Sequence, residues 1–181
     1  MIERLVKEIG ISLKNKCYMS ALTMSAMIPD ICGKAEYPEE WSVGKRYKQW
    51  YQKYVLDEGG FGLQLSSDMA YSIRCSLLHE GNPSIDKEKC NVKCFAFIIS
   101  DSTANKTLES SLTRKLSDGN KIYEVYNLHI ELYCGTISTA ASKYYRANKD
   151  KFDFINYRII NTADVTALTF RLSEDSIRVK L

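Results

Sequence analysis

The stretch 65–81, LSSDMAYSIRCSLLHEG, limits the architecture more than any other part of the chain. Ser66 and Ser67 stand before a run with apolar periodicity, a start signal for a helix, and Gly81 followed by Pro83 is a stop signal. Met69, Ile73 and Leu77 recur every four residues and make a stripe that must be packed on something. Arg74 and His79 lie off that stripe. The expected helix is therefore anchored in a core while it carries a guanidinium and an imidazole elsewhere on its surface. The remaining sequence has to supply that core.

It has the means to do so. The chain has 181 residues, 45% of them hydrophobic, which suits one compact unit with a substantial interior. A net charge of +3 permits contact with nucleic acid without requiring it. No apolar run approaches the roughly 18 residues that a membrane span needs. The opening MIERLVKEIG carries Glu3 and Glu8 among its apolar residues, unlike a secretory leader. The expectation is a cytoplasmic protein with no membrane partner. Cys17, Cys75 and Cys134 fall in expected helices and read as reduced thiols acting as small hydrophobes. Cys90 and Cys94 form the only closely spaced cysteine pair, and no second pair completes a four-ligand set, so neither metal nor cofactor is expected.

Taken in order, residues 2–28 carry a helical stripe of Ile2, Leu5, Val6, Ile9 and Leu13, extended by Cys17, Met24, Met27 and Ile28. Gly10 and Asn15 weaken its middle, which leaves either one kinked helix or two in succession. PDICG, 29–33, reads as a stop, with Asp30 and Gly33 as turn residues. Val43, Tyr47, Trp50 and Tyr54 then recur at helical spacing beside Lys45, Arg46, Lys48 and Lys53. Two readings stand: an aromatic helix packed on the bundle with solvated lysines, or a basic face on which Lys45, Arg46 and Lys48 contact RNA.

The character changes after residue 91. VKCFAFIIS and KIYEVY favour strands, and a helix is expected from Asn127 to about Arg146 along Ile130, Cys134, Ile137, Ala141 and Tyr145. His129 then reads as a surface or half-buried helix residue. Leu108, Leu112 and Leu116 recur every four residues, as in a short helix or an ordered excursion. FDFINYRII and VTALTFR look extended, and EDSIRVKL reads as an edge strand or a tail. The fold class expected is α+β: a helical core over 1–88, with a β-containing portion and a further helix over 89–181 packed on it.

Chemistry depends on whether Arg74 and His79 meet. On a regular helix residues five apart differ by about 140° in azimuth and roughly 7.5 Å along the axis. They converge only through the length of arginine, through a loosened helix near Gly81, or across a two-fold axis that brings a second copy opposite. A cleft holding both suits cleavage of RNA without a metal. Arginine binds a phosphate bidentately and offsets charge gathering on its oxygens. An imidazole can take the proton of an attacking 2′-hydroxyl or give one to the leaving oxygen. Glu80 and Asn82 are the candidates for orienting the ring, with Asp30 as an accessory polar residue. The opposing reading is a structural ion pair for Arg74 and a helix-ending role for His79.

RCSLLH, 74–79, resembles the Arg-x(4–6)-His motif of the HEPN superfamily, and the segments CYMSALTMSAMIPDICG, GKRYKQWYQKY and RCSLLHEG are similar to small bacterial members of that group. The resemblance covers roughly residues 1–83. It implies an all-α bundle that pairs as a homodimer, whose motifs form a metal-independent endoribonuclease site. It further implies Arg74 as the phosphate-binding residue and His79 as the acid and base. Many such proteins are toxins or phage-defence effectors, some held by an antitoxin or another partner protein. Active members commonly carry a polar residue after the motif arginine, where this chain has Cys75. Others keep the fold as catalytically inactive modules that bind RNA or protein, and that is the alternative reading.

Overall fold

A computed structural model of the chain describes residues 1–59, 63, 65–80, 94–99, 113–118 and 121–154. Helices α1 (Ile2–Lys14), α2 (Tyr18–Glu36), α3 (Val43–Trp50) and α4 (Ser67–Cys75) come first. Strands β1 (Cys94–Ile98), β2 (Thr113–Asp118) and β3 (Lys121–His129), helix α5 (Ile130–Ala147) and a 3₁₀ turn at Lys149–Phe152 follow. The class is α+β, a helical run succeeded by a small sheet with its own helix. No helix of the described residues is long and apolar enough to cross a membrane.

The pattern over 2–28 resolves into two helices. The break falls at Asn15–Cys17, where Lys16 adopts a φ of 58° and turns the chain. The stop expected at PDICG does not occur. Helix α2 runs through Pro29 to Glu36, with Pro29 buried inside it. Proline costs a helix one backbone bond, but this helix buries Ala21, Leu22, Ser25, Ala26, Ile28, Cys32 and Ala35 along one broad face that also holds Pro29, and packing outweighs that loss. Gly33 is likewise no turn residue. It lets α3 lie close, since a Cβ there would sit 2.8 Å from the backbone oxygen of Arg46.

Ser42 caps α3 by accepting from the Lys45 amide, and Tyr47 and Trp50 are fully buried. A π-helical segment, Tyr51–Asp57, prolongs α3. Its Tyr54 ring lies 4.7 Å from that of Tyr144 on α5, and Trp50 lies 5.8 Å from the same ring. The aromatic side of the helix is packed at Tyr47 and Trp50, while Val43 stays exposed.

Strand β3 is central in the order β1-β3-β2, parallel to β1 and antiparallel to β2. It continues to His129, so α5 begins at Ile130, later than the Asn127 expected. His129 is buried rather than on a helix surface, and its Nδ1 caps α5 by accepting from the Leu132 amide. Leu116 belongs to β2, opposite Tyr123, so the four-residue leucine spacing does not continue as a helix there. The run FDFINYRII, expected to be extended, opens instead on the end of the 3₁₀ helix at Phe152 and a turn at Asp153–Phe154. Leu108, Leu112 and the extended segments from residue 155 on lie outside the described residues.

Glu36, at the end of α2, ties the halves together. Its carboxylate accepts from Lys53 Nζ (3.2 Å), Tyr54 Oη (2.7 Å), Tyr144 Oη (3.0 Å) and Lys151 Nζ (2.6 Å). Burial alone would raise its pKa, but these donors outweigh it and hold the carboxyl down at about 2, against an ordinary 4.5. The stability this contributes is present above about pH 4.5 and is lost as pH falls through about 2. In acid titrations followed by circular dichroism, Glu36→Gln should lower stability at neutral pH and flatten the pH dependence in that window. A second test concerns the glycines. Gly33→Ala should destabilise by about 1–3 kcal/mol in urea unfolding, because the new methyl meets backbone. Gly10→Ala, with nothing within 4 Å of the added carbon, should stabilise by up to about 1 kcal/mol.

Candidate functional site

Helix α4 starts where its sequence says it should: Ser66 caps it by accepting from the Met69 amide at 3.2 Å. Ala70 and Ile73 are buried, and Met69 and Leu77 pack against the core as partly buried residues. The helix does not end as a regular α-helix. From Ser76 to Glu80 it widens into a π turn. In that geometry the backbone bond runs from i to i+5, so side chains five apart come nearly above one another. Arg74 Nη1 and His79 Nε2 are accordingly 2.7 Å apart. The loosened helix end is the route that brings them together within one chain.

Arg74 is held from the other side by α2. Its Nε donates to Asp30 Oδ2 at 2.8 Å, and both side chains are mostly covered, at 14% and 19% exposed. The Arg74 Cζ lies 5.8 Å from the Tyr71 ring centroid. Tyr71 in turn fits against α3 because Gly44 leaves room: a Cβ there would meet the Tyr71 ring at 2.9 Å. Burial pushes the Asp30 carboxyl up, and the Arg74 hydrogen bond and charge offset only part of this. Burial disfavours the Arg74 cation, yet Asp30 holds its pKa above the ordinary value. The other carboxylate oxygen, Asp30 Oδ1, is buried and has no hydrogen-bond partner among the described residues.

A guanidinium can only donate, so in the contact with His79 the ring Nε2 is the acceptor. His79 itself is exposed. The result is a short chain of groups, Asp30 to Arg74 to His79, running from the helical interior to solvent. Asp30 is the accessory residue for which the sequence offered no physical link, and its partner lies 44 positions away. Tyr71 was not singled out at all. Its signal, an aromatic three residues before the motif arginine, is one helical turn and easily read as core.

The other candidates are elsewhere. Glu80 closes the π turn, and Asn82 lies outside the described residues. Lys45 pairs with Glu40, and Lys48 pairs with Asp68 at 3.0 Å. Both lysines line a shallow groove of about 430 Å³ with Gln49, Gln52 and Asp68, and neither Arg74 nor His79 is among its walls. Arg46 is half-buried and donates through Nη1 to the backbone oxygens of Glu40 and Trp41. Among the described residues no cluster of three or more histidines, cysteines or acids could hold a metal ion. Cys32 and Cys134 are buried thiols, Cys75 is half-buried and Cys17 exposed.

Compared with protein-family models, curated proteins and solved structures, the chain matches none.

The Asp30–Arg74 pair makes a measurable claim. Arg74→Ala should leave a mostly covered carboxylate unpaired and destabilise by about 1–3 kcal/mol, as should Asp30→Ala for the guanidinium. The double variant should lose less than the sum, giving a coupling energy of about 1 kcal/mol or more in urea unfolding. His79→Ala, at an exposed position, should change stability by less than about 0.5 kcal/mol.

Proposed function

We propose that this chain is a metal-independent endoribonuclease of the HEPN kind, cleaving RNA by attack of a 2′-hydroxyl on the adjacent phosphorus. The observation that carries the reading is the 2.7 Å contact between Arg74 Nη1 and His79 Nε2 at the solvent end of a π turn. Asp30 holds the guanidinium through Nε, so the Nη1 hydrogen that faces His79 is the one a substrate would take. An entering phosphate oxygen is a stronger acceptor than an imidazole and takes over that donor. Freed from Arg74, the Nε2 lone pair is the base for the 2′-hydroxyl proton. The oxygen attacks phosphorus, the 5′-oxygen of the next nucleotide leaves with a proton, and the products are a 2′,3′-cyclic phosphate and a free 5′-hydroxyl. Arg74 offsets the charge that accumulates on the phosphoryl oxygens meanwhile.

In this reading two copies pair about a two-fold axis, so that two arginines and two histidines surround one strand. The setting is the cytoplasm, where such an enzyme serves as a toxin or a phage-defence effector under the control of an antitoxin or other partner protein. A second reading is favoured by the same ion pair. With its side chain only 14% exposed, Arg74 is also placed to brace α4 against α2, as it would in an inactive RNA- or protein-binding member of the group.

Purified protein should cleave single-stranded RNA in EDTA and leave cyclic phosphate ends. Arg74→Ala and His79→Ala should each reduce the rate by about 100-fold or more. Asp30→Asn should weaken it less. Cleavage that survives both alanine changes rejects the assignment, and an unreactive wild-type chain across a diverse RNA pool supports the inactive module.

A further inference from the structure

Besides Asp30 at its Nε and His79 at its Nη1, the Arg74 guanidinium meets an aromatic ring. Its carbon lies over Tyr71, 5.8 Å from the ring centroid. Residues three apart on a helix are neighbours, so the contact by itself would mean little. What sets this ring apart is that other groups hold it independently of Arg74. The fully buried Tyr47 meets it edge to face, with centroids 5.3 Å apart. Tyr47 is in turn tied to α4, because its hydroxyl donates to the Ala70 backbone oxygen at 3.3 Å. On the α3 side, Gly44 receives the hydroxyl end of the ring. A Cβ there would lie 2.9 Å from Tyr71 Cζ and 3.0 Å from Cε1 and Oη. The ring stands in a slot that only a glycine leaves open.

The guanidinium needs such a support. Asp30 holds it by one hydrogen bond, at Nε, and the planar group can turn about that bond. An aromatic face against the plane removes this freedom and attracts the cation as well. The clash at Gly44 is also with the ring and not with backbone, unlike the one at Gly33. A methyl at Gly44 therefore moves Tyr71 and leaves the helix crossing in place.

We infer that Tyr71 is a positioning residue for Arg74, and that α3 sets the position of Tyr71 through the space at Gly44. The inference rests on the ribonuclease reading for the reaction that Arg74 serves. It extends the site to α3, which supplies no reacting group in that reading.

The test uses variants of the full-length chain. Tyr71→Phe keeps the ring and should cleave RNA within about twofold of wild type. Tyr71→Leu should lower kcat by about tenfold or more and change KM by less than about threefold, since a misplaced guanidinium fails at the transition state. Gly44→Ala keeps Tyr71 and favours the helix by propensity, yet it should lower kcat in the same way. Added to Tyr71→Leu, where no ring remains to displace, it should have no further effect. The Arg74 Nε–H gives a readout that needs no activity. Its exchange with solvent, followed by NMR, should be about fivefold or more faster in Tyr71→Leu and Gly44→Ala than in wild type and Tyr71→Phe. Wild-type kcat in Gly44→Ala or in folded Tyr71→Leu, or unchanged exchange in both, overturns the inference. So does a loss in Tyr71→Phe equal to that in Tyr71→Leu, which assigns the role to the hydroxyl. If Tyr71→Leu unfolds, Gly44→Ala and Tyr71→Phe decide between them. The two proposals fail separately. Faster Nε–H exchange in these variants of a chain that cleaves no RNA removes only the enzyme. Cleavage that Tyr71→Leu and Gly44→Ala leave undiminished, while Arg74→Ala abolishes it, removes only the positioning role.

Discussion

Burial of one helix on several sides sets the terms for everything else in this molecule. Helix α2 packs against α1, α3, α4 and α5 through the half of its circumference that carries Ala21, Leu22, Ala26, Ile28, Pro29, Cys32 and Ala35, while Met19, Ser20 and Met27 face solvent. Held on that face by four neighbours, it tolerates Pro29. It also has few places for polar groups. Asp30 and Glu36 are its two acids, and each leaves the interior toward cations on another element. One draws in α4 through Arg74. The other gathers Lys53, Tyr54, Tyr144 and Lys151, and so joins the helical run to the helix that follows the sheet.

From this the geometry around the motif follows. Arginine and histidine five apart would face away from each other on a regular helix. The π turn at Ser76–Glu80 removes the mismatch locally, while Ser66 and the buried Ile73 keep the first turns of α4 regular. A guanidinium held by a carboxylate on one edge and facing an imidazole on another has its charge in a fixed direction. That pre-orientation is what the proposed phosphate chemistry would use.

The local signals in the sequence were read well where a side chain and its backbone partner are close along the chain. Ser66 marks the start of α4, the β-favouring runs VKCFAFIIS and KIYEVY hold β1 and the first six residues of β3, and the weak middle of 2–28 is the break at Lys16. What misled was chemistry with two uses. PDICG has turn residues, but Gly33 serves a helix crossing and Asp30 an ion pair, and both partners are more than ten positions away. His129 resembles a helix residue until strand β3 is seen to run straight into α5, which makes it a cap. Leu116 kept a four-residue spacing that pairing with Tyr123 overrides. At the site, the pair stands out by residue type and by the resemblance while its five-residue spacing argues against contact, and the widened turn that joins it has no sequence marker of its own.

The 44 positions between Asp30 and Arg74 carry a further meaning. Any segment of this polypeptide that contains both halves of the ion pair must run from the second helix into the fourth. A nascent chain therefore emerges from the ribosome with its arginine unseated, and the arrangement comes into being only once the fourth helix has docked on the second.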